Sequence, residues 1–263
     1  MPVARRPSRL ATLLEIRAPL DWATILFYAP SLRSAPRGDG RPVMLLPGYG
    51  TDESAMRPLG RYLRFLGYDV YDWGLGRNRG KVNQYTQLAG ERVREIHGET
   101  GGEPVTLIGW SLGGVIARET ARLFEPVVRE VITLGTPIVG GPKYTAAAGR
   151  YAKASNLDLD EFEKEVHARN LAGIRQPITS IYSKLDGVVG WRASIDVYNE
   201  HARNMEVYSS HFGIGANGRV WQLIAETLGR PEHEQAPVDH VVRAPEVFLD
   251  QLSVLLRVQL LVD

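Results

Sequence analysis

Residues 104–120 read PVTLIGWSLGGVIARET, and the rest of the chain is organised around them. Val105 to Ile108 is a short apolar run of strand type. Gly109-Trp110-Ser111-Leu112-Gly113 is a G-x-S-x-G turn, and Val115 to Leu123 has the composition of a buried helix. A serine on a sharp strand-to-helix turn exposes its Oγ above a sheet, and the flanking glycines let the chain bend without Cβ clashes. The helix that follows aims free N–H groups and its positive dipole end at the same point, where an oxyanion would be stabilised.

This strand, turn and helix, extended by Gly114, resemble the nucleophile elbow of the α/β-hydrolase superfamily, in its lipase and esterase branch. The resemblance covers about Val43 to Leu228. It implies an α/β fold with a mostly parallel central sheet flanked by helices, and a helical lid or cap inserted after the sixth family strand.

Working outward, Val43 to Leu46 reads as a buried strand ending in Pro47-Gly48-Tyr49-Gly50-Thr51. The lipase branch usually has His-Gly-x here, and Pro47 replaces that histidine. Pro-Gly also occurs in lipase-like and acyltransferase-like members, so the departure leaves the substrate class open. The resemblance implies that the backbone N–H groups of Tyr49 and Leu112 form the oxyanion hole. Asp52 to Leu66 is expected as one helix and Tyr68 to Trp73 as a strand. Gly74 to Lys81 (GLGRNRGK) is basic and glycine-rich but lacks the spacing of a phosphate-binding loop, and reads as a solvated loop at the mouth of the site. Val82 to Thr100 is a further helix.

Val131 to Leu134 is a strand running into Gly135-Thr136-Pro137, a common strand end beside the active site in this family. Gly140 to Arg175 is too long for a simple connection and is the expected lid, with Asp160 to Ala172 a charged helix. Its acids, Asp158, Asp160, Glu161 and Glu163, have no cation-loop spacing. Gly48, Trp110, Pro137 and Tyr144 are the residues expected to line the substrate pocket.

A serine hydroxyl needs a base to take its proton and a carboxylate to orient that base. The family order is Ser, Asp or Glu, then His. The fragment YSKLDGVVG after the strand Ile178 to Tyr182 resembles the acid-bearing loop and nominates Asp186, with Asp196 in reserve. Among six histidines, His211 alone follows the last core strand, Met205 to Tyr208, and precedes a glycine and a helix. The expected activity is therefore a serine esterase or lipase acting on a hydrophobic acyl group with no metal or organic cofactor. An acyltransferase using the same Ser111, His211 and Asp186, or a catalytically silent binding protein, are the alternatives.

The chain has 263 residues with 44% hydrophobic content and a net charge of +1, which favours one α/β domain and gives no reason to expect nucleic acid as a partner. It has no cysteine, which excludes a thiolate nucleophile and disulfides. Residues 1–40 are expected to form a helical arm and residues 41–263 the hydrolase domain. Glu15 and Arg17 interrupt the apolar run of the arm, against a signal peptide and in favour of a cytoplasmic protein. The arm packs on the body or, given its arginines and leucines, contacts a membrane surface. Residues 230–263 read as a helical tail with an apolar stripe from Val247 to Leu260. Oligomeric state is left open.

Overall fold

The computed structural model describes residues 4–154 and 157–230. Six strands are formed, β1 (Pro42–Leu46), β2 (Asp69–Asp72), β3 (Val105–Trp110), β4 (Val128–Leu134), β5 (Ile178–Ser183) and β6 (Arg203–Val207). They make one sheet in the order β2-β1-β3-β4-β5-β6, with every neighbouring pair parallel. The near-continuous apolar runs of β1 and β3 follow from this, since both are buried along their whole length with helices on both faces.

Alternation along the strands divides the core in two. Val43, Leu45, Ile108, Ile132 and Ile181 face a cluster with Leu59 and Leu63 of helix α4 (Arg57–Leu66) and Val220 and Ile224 of helix α9 (Gly218–Leu228). Met44, Leu46, Val105, Leu107 and Val131 face the other way, onto Ala89, Val93 and Ile96 of α5 (Val82–Glu99) and Ile116, Ala117 and Ala121 of α6 (Leu112–Leu123). The helix expected over Asp52 to Leu66 is broken. Asp52 caps a short 3-10 turn at Glu53–Ala55, and α4 begins afresh at Arg57 with Pro58 in its first turn.

Residues 9–33 form α1 (Arg9–Leu13), a 3-10 turn at Leu14–Arg17, α2 (Ala18–Phe27) and α3 (Ala29–Arg33). Between β4 and β5, residues 141–171 hold a 3-10 turn at Gly141–Tyr144, α7 (Ala148–Ala154) and α8 (Leu159–Leu171). The apolar stripe expected from Val247 to Leu260 lies outside the described residues. Among the described residues no helix is long and apolar enough to cross a membrane.

Candidate active site

All strands run the same way, so the loops leaving their C-terminal ends share one edge of the sheet. The strand order reverses between β1 and β3, the place where ligands bind in open α/β sheets. Pro47-Gly48-Tyr49 leaves β1 on one side of that point and Ser111 leaves β3 on the other.

Ser111 has φ 54° and ψ −121°, and it is the one non-glycine residue with positive φ among the described residues. Its N–H donates to Leu134 O of β4 at 2.8 Å, which fixes the strained turn to the sheet. The turn is closed by contacts that leave no room for side chains. A Cβ on Gly113 would lie 2.2 Å from Leu46 O, and one on Gly109 would lie 2.4 Å from Gly114 Cα.

His211 follows β6 and is buried. Its Nε2 is 3.0 Å from Ser111 Oγ and its Nδ1 is 2.7 Å from Asp186 Oδ2. A carboxylate only accepts, so Nδ1 carries the proton in this arrangement and Nε2 is left to accept from the serine hydroxyl. The other oxygen of Asp186 is occupied by the N–H groups of Val188 and Val189 at 2.8 and 2.7 Å, which fixes the carboxylate's orientation. Burial alone would lower the basicity of His211, but the charge and hydrogen bond of Asp186, with a further contribution from Glu15, outweigh it and raise the pKa above its ordinary value. A Cβ on Gly135, at the end of β4, would lie 3.0 Å from Asp186 Oδ2 and 3.2 Å from His211 Nδ1. Only a glycine fits under that pair.

Asp196, the reserve acid, is engaged elsewhere. It pairs at 2.6 Å with the fully buried Arg118 of α6, whose charge holds the aspartate below the usual carboxylate range despite its burial. Of the other histidines, His97 contacts Glu103 O and His167 contacts Tyr198, partners outside the Ser111, Asp186 and His211 set.

Tyr49 is exposed, and neither its N–H nor that of Leu112 has an acceptor among the described residues. Gly48 sits against the ring of Trp110 and the Cβ of Ser111. Trp110 is buried, donates from Nε1 to His211 O at 3.1 Å and lies 5.7 Å from the imidazole, centroid to centroid. Pro137 is buried just beyond Gly135. Tyr144 is placed differently from its expected position at the pocket. Its hydroxyl donates to Glu163 of α8 at 2.5 Å and it packs near Ala4, Val189 and Ala193, with no hydrogen bond or ring contact to Ser111, Trp110 or His211.

The sequence reading missed Asn78. The loop holding it was expected to be solvated, yet Asn78 is fully buried, donates to Pro47 O at 2.9 Å and accepts from Gly80 N–H at 3.1 Å. Its backbone also exchanges bonds with Gly50 and Thr51, so it anchors the loop after β1. A lone asparagine inside a glycine- and arginine-rich stretch was the available signal. Among the described residues no group of acids and histidines is arranged to hold a metal ion.

The comparisons agree with this architecture. The model of the alpha/beta hydrolase family matches residues 43–250, and the chain belongs to that family. Among solved structures it is similar to Aspergillus fumigatus lipase B (TM-score 0.54, 19% identity, covering 79% of this chain and 58% of that one). It is also similar to the mature form of Bacillus licheniformis lipase BlEst2 (0.54, 16%, 73% and 94%) and to Paleococcus ferrophilus monoacylglycerol lipase (0.51, 16%, 72% and 96%). No curated protein matches the chain.

Proposed function

We propose that this hydrolase-family chain cleaves carboxylic esters through an acyl-enzyme on Ser111. The observation that carries the reading is the hydrogen-bonded run from Asp186 through His211 to Ser111 Oγ, at 2.7 and 3.0 Å, on a strained elbow at the sheet's switch point. Ser111 Oγ attacks the ester carbonyl carbon as its proton passes to His211 Nε2. The tetrahedral oxyanion is held by the N–H groups of Tyr49 and Leu112. Collapse expels the alcohol, which takes the proton back from His211. Water, deprotonated by the same nitrogen, then attacks the acyl carbon and frees Ser111. Asp186 holds the imidazole in the tautomer that both steps need. Residues 140–175, lying between the strands that end at Gly135 and at the Asp186 loop, cover the acyl pocket in this reading.

The substrate is a hydrophobic ester met at a lipid surface. Eight of the sixteen exposed large hydrophobic side chains among the described residues fall between Leu10 and Phe27, on an arm that also carries Arg5, Arg6, Arg9 and Arg17. If an alcohol replaced water in the last step the chain would be an acyltransferase, and product analysis with added alcohols separates the two.

The test is hydrolysis of p-nitrophenyl esters from acetate to palmitate by wild type and Ser111→Ala, with active-site titration by an organophosphate. Turnover on at least one ester, lost by about 10⁴-fold or more in the variant, is expected. Folded wild-type protein that neither turns over any ester nor reacts with the organophosphate would overturn the proposal.

A further inference from the structure

The first 38 residues contain six arginines but only two acids, Glu15 and Asp21, and both acids are buried. On a solvated arm the acids would face water, so their burial needs a cause. Glu15 Oε1 accepts from Gly187 N–H at 2.7 Å and from His211 N–H at 2.9 Å, while Oε2 accepts from Phe212 N–H at 3.0 Å. Gly187 directly follows Asp186, so one carboxylate joins the acid-bearing loop to the histidine itself. Asp21 Oδ2 accepts from the Ser210 N–H at 2.9 Å and from its hydroxyl at 2.5 Å, and Oδ1 accepts from Asn217 Nδ2 at 3.3 Å. Thr12 Oγ1 donates to Gly187 O at 2.7 Å. The fit is close on both sides, since a Cβ on Gly187 would lie 2.2 Å from Ala11 O and one on Gly213 would lie 2.1 Å from the Asp21 carboxylate.

We propose that Glu15 is a positioning residue of the active site: from the N-terminal arm, it sets the spacing between the Asp186 loop and the His211 loop and places a fixed negative charge behind the imidazole. This rests on the reading of Ser111, His211 and Asp186 as the reacting set. An anionic carboxylate suits the site because all three of its partners are donors. A glutamine there has one accepting oxygen and turns its NH₂ against a backbone N–H, which leaves a buried donor unpaired. Besides the bond from His211 to Asp186 itself, the body joins the two loops through Ser183 Oγ, which accepts from Leu185 N–H and Ser209 N–H at 3.1 Å each.

The charged groups that face His211 are Asp186, from the loop after β5, and Glu15, from the arm. Asp21 anchors the preceding residue, and the rings of Trp110 and Phe212 complete the surround. Removing the Glu15 charge therefore favours neutral His211 and lowers its pKa. A residue that only stapled the arm down would leave that titration where it was.

The test combines the His211 titration, followed by NMR of ¹⁵N-histidine-labelled protein and assigned with His211→Asn, with kcat and KM on a soluble p-nitrophenyl ester. Wild type, Glu15→Gln, Glu15→Asp and, as a control on the arm, Ser8→Ala are compared. Glu15→Gln is expected to lower the His211 midpoint by at least about half a pH unit and kcat by tenfold or more, with KM within about twofold. Glu15→Asp keeps the charge but is one methylene short, so the midpoint returns towards wild type while kcat stays low. Ser8→Ala, which removes the cap of α1, moves neither. Folded Glu15→Gln with a wild-type midpoint and kcat would overturn the proposal. Should Glu15→Gln not fold, Glu15→Asp decides: lowered kcat at an unmoved midpoint supports it, and unchanged kcat overturns it. Absence of ester turnover in wild type would defeat the hydrolase reading alone, because the midpoint still reports on Glu15.

Discussion

Asp186 and Asp196 both follow β5, both are buried, and both were open as the acid from sequence, yet their surroundings give them different work. Asp186 has the imidazole of His211 on one oxygen and two backbone N–H groups on the other. Asp196 has the guanidinium of Arg118. Replacing Asp186 by Asn keeps its shape but presents the wrong tautomer to His211, so kcat should fall by about 10³- to 10⁴-fold while the melting temperature changes little. Replacing Asp196 by Asn removes the charge partner of a fully buried arginine, which costs on the order of 3–5 kcal/mol. Denaturant unfolding and ester kinetics on the two variants therefore give opposite patterns, and the assignment of Asp186 as the acid would be wrong if Asp196→Asn alone lost turnover. The pH dependence belongs to the same pair. The proposed reaction needs neutral His211, and its pKa is raised above 6.5, so the acid limb of kcat/KM should have its midpoint above 6.5. Activity rises through that midpoint with increasing pH. A midpoint below the ordinary histidine value would contradict the charge environment found here.

The elbow was the most legible element, because its constraint is local: a strand, a five-residue turn and a helix contact one another within seventeen residues. Its glycines carry a sharp expectation. A Cβ at Gly113 meets the carbonyl oxygens of Leu46 and Pro47 at 2.2 and 2.6 Å, and backbone there cannot move aside without displacing the loop that bears Tyr49. Gly113→Ala should cost about 3 kcal/mol or more and lower kcat as well, measured by urea unfolding and ester turnover. A variant as stable and active as wild type would mean the loop after β1 is not held where the structure has it. The central strands were legible for a similar reason, since β1, β3 and the Val131–Leu134 end of β4 are runs that two-sided burial explains, whereas their order on the sheet was not read from the sequence. Less could be read where an element's role depends on distant partners. The break before α4 came from Pro58, which was visible. Asn78 could be seen only as one polar residue among glycines, and its bond to Pro47 crosses 31 residues. Glu15 was read as an interruption of an apolar run, and nothing within reach in the sequence announced bonds to Gly187, His211 and Phe212, which are 172 to 197 residues away.

At the scale of the whole molecule the arm has two sides with opposite chemistry. Inward, its Glu15 and Asp21 meet the loops of the candidate site. Outward, it exposes Leu13 (73%), Ile16 (86%), Leu26 (80%) and Phe27 (80%), more apolar surface than a short helical segment keeps in water without a partner. The arginines at 5, 6, 9 and 17 add positive charge, and the proposed occupant is accordingly an anionic phospholipid surface. Burying an exposed leucine gains about 1.5–3 kcal/mol, and each basic residue near such a surface adds about 1 kcal/mol that salt screens. Wild-type protein should therefore sediment with vesicles containing phosphatidylserine more than with neutral phosphatidylcholine vesicles, and less as salt is raised. The double variant Leu13→Asp, Leu26→Asp should lower partitioning by at least about tenfold. It should leave kcat on a soluble ester unchanged, because neither residue is among the partners of Glu15, Asp21 or the triad. Turnover of vesicle-borne long-chain ester should fall with the partitioning. No sedimentation with either vesicle by wild type would remove the lipid assignment, and sedimentation in the absence of vesicles would point to a second copy of the chain as the occupant of that face.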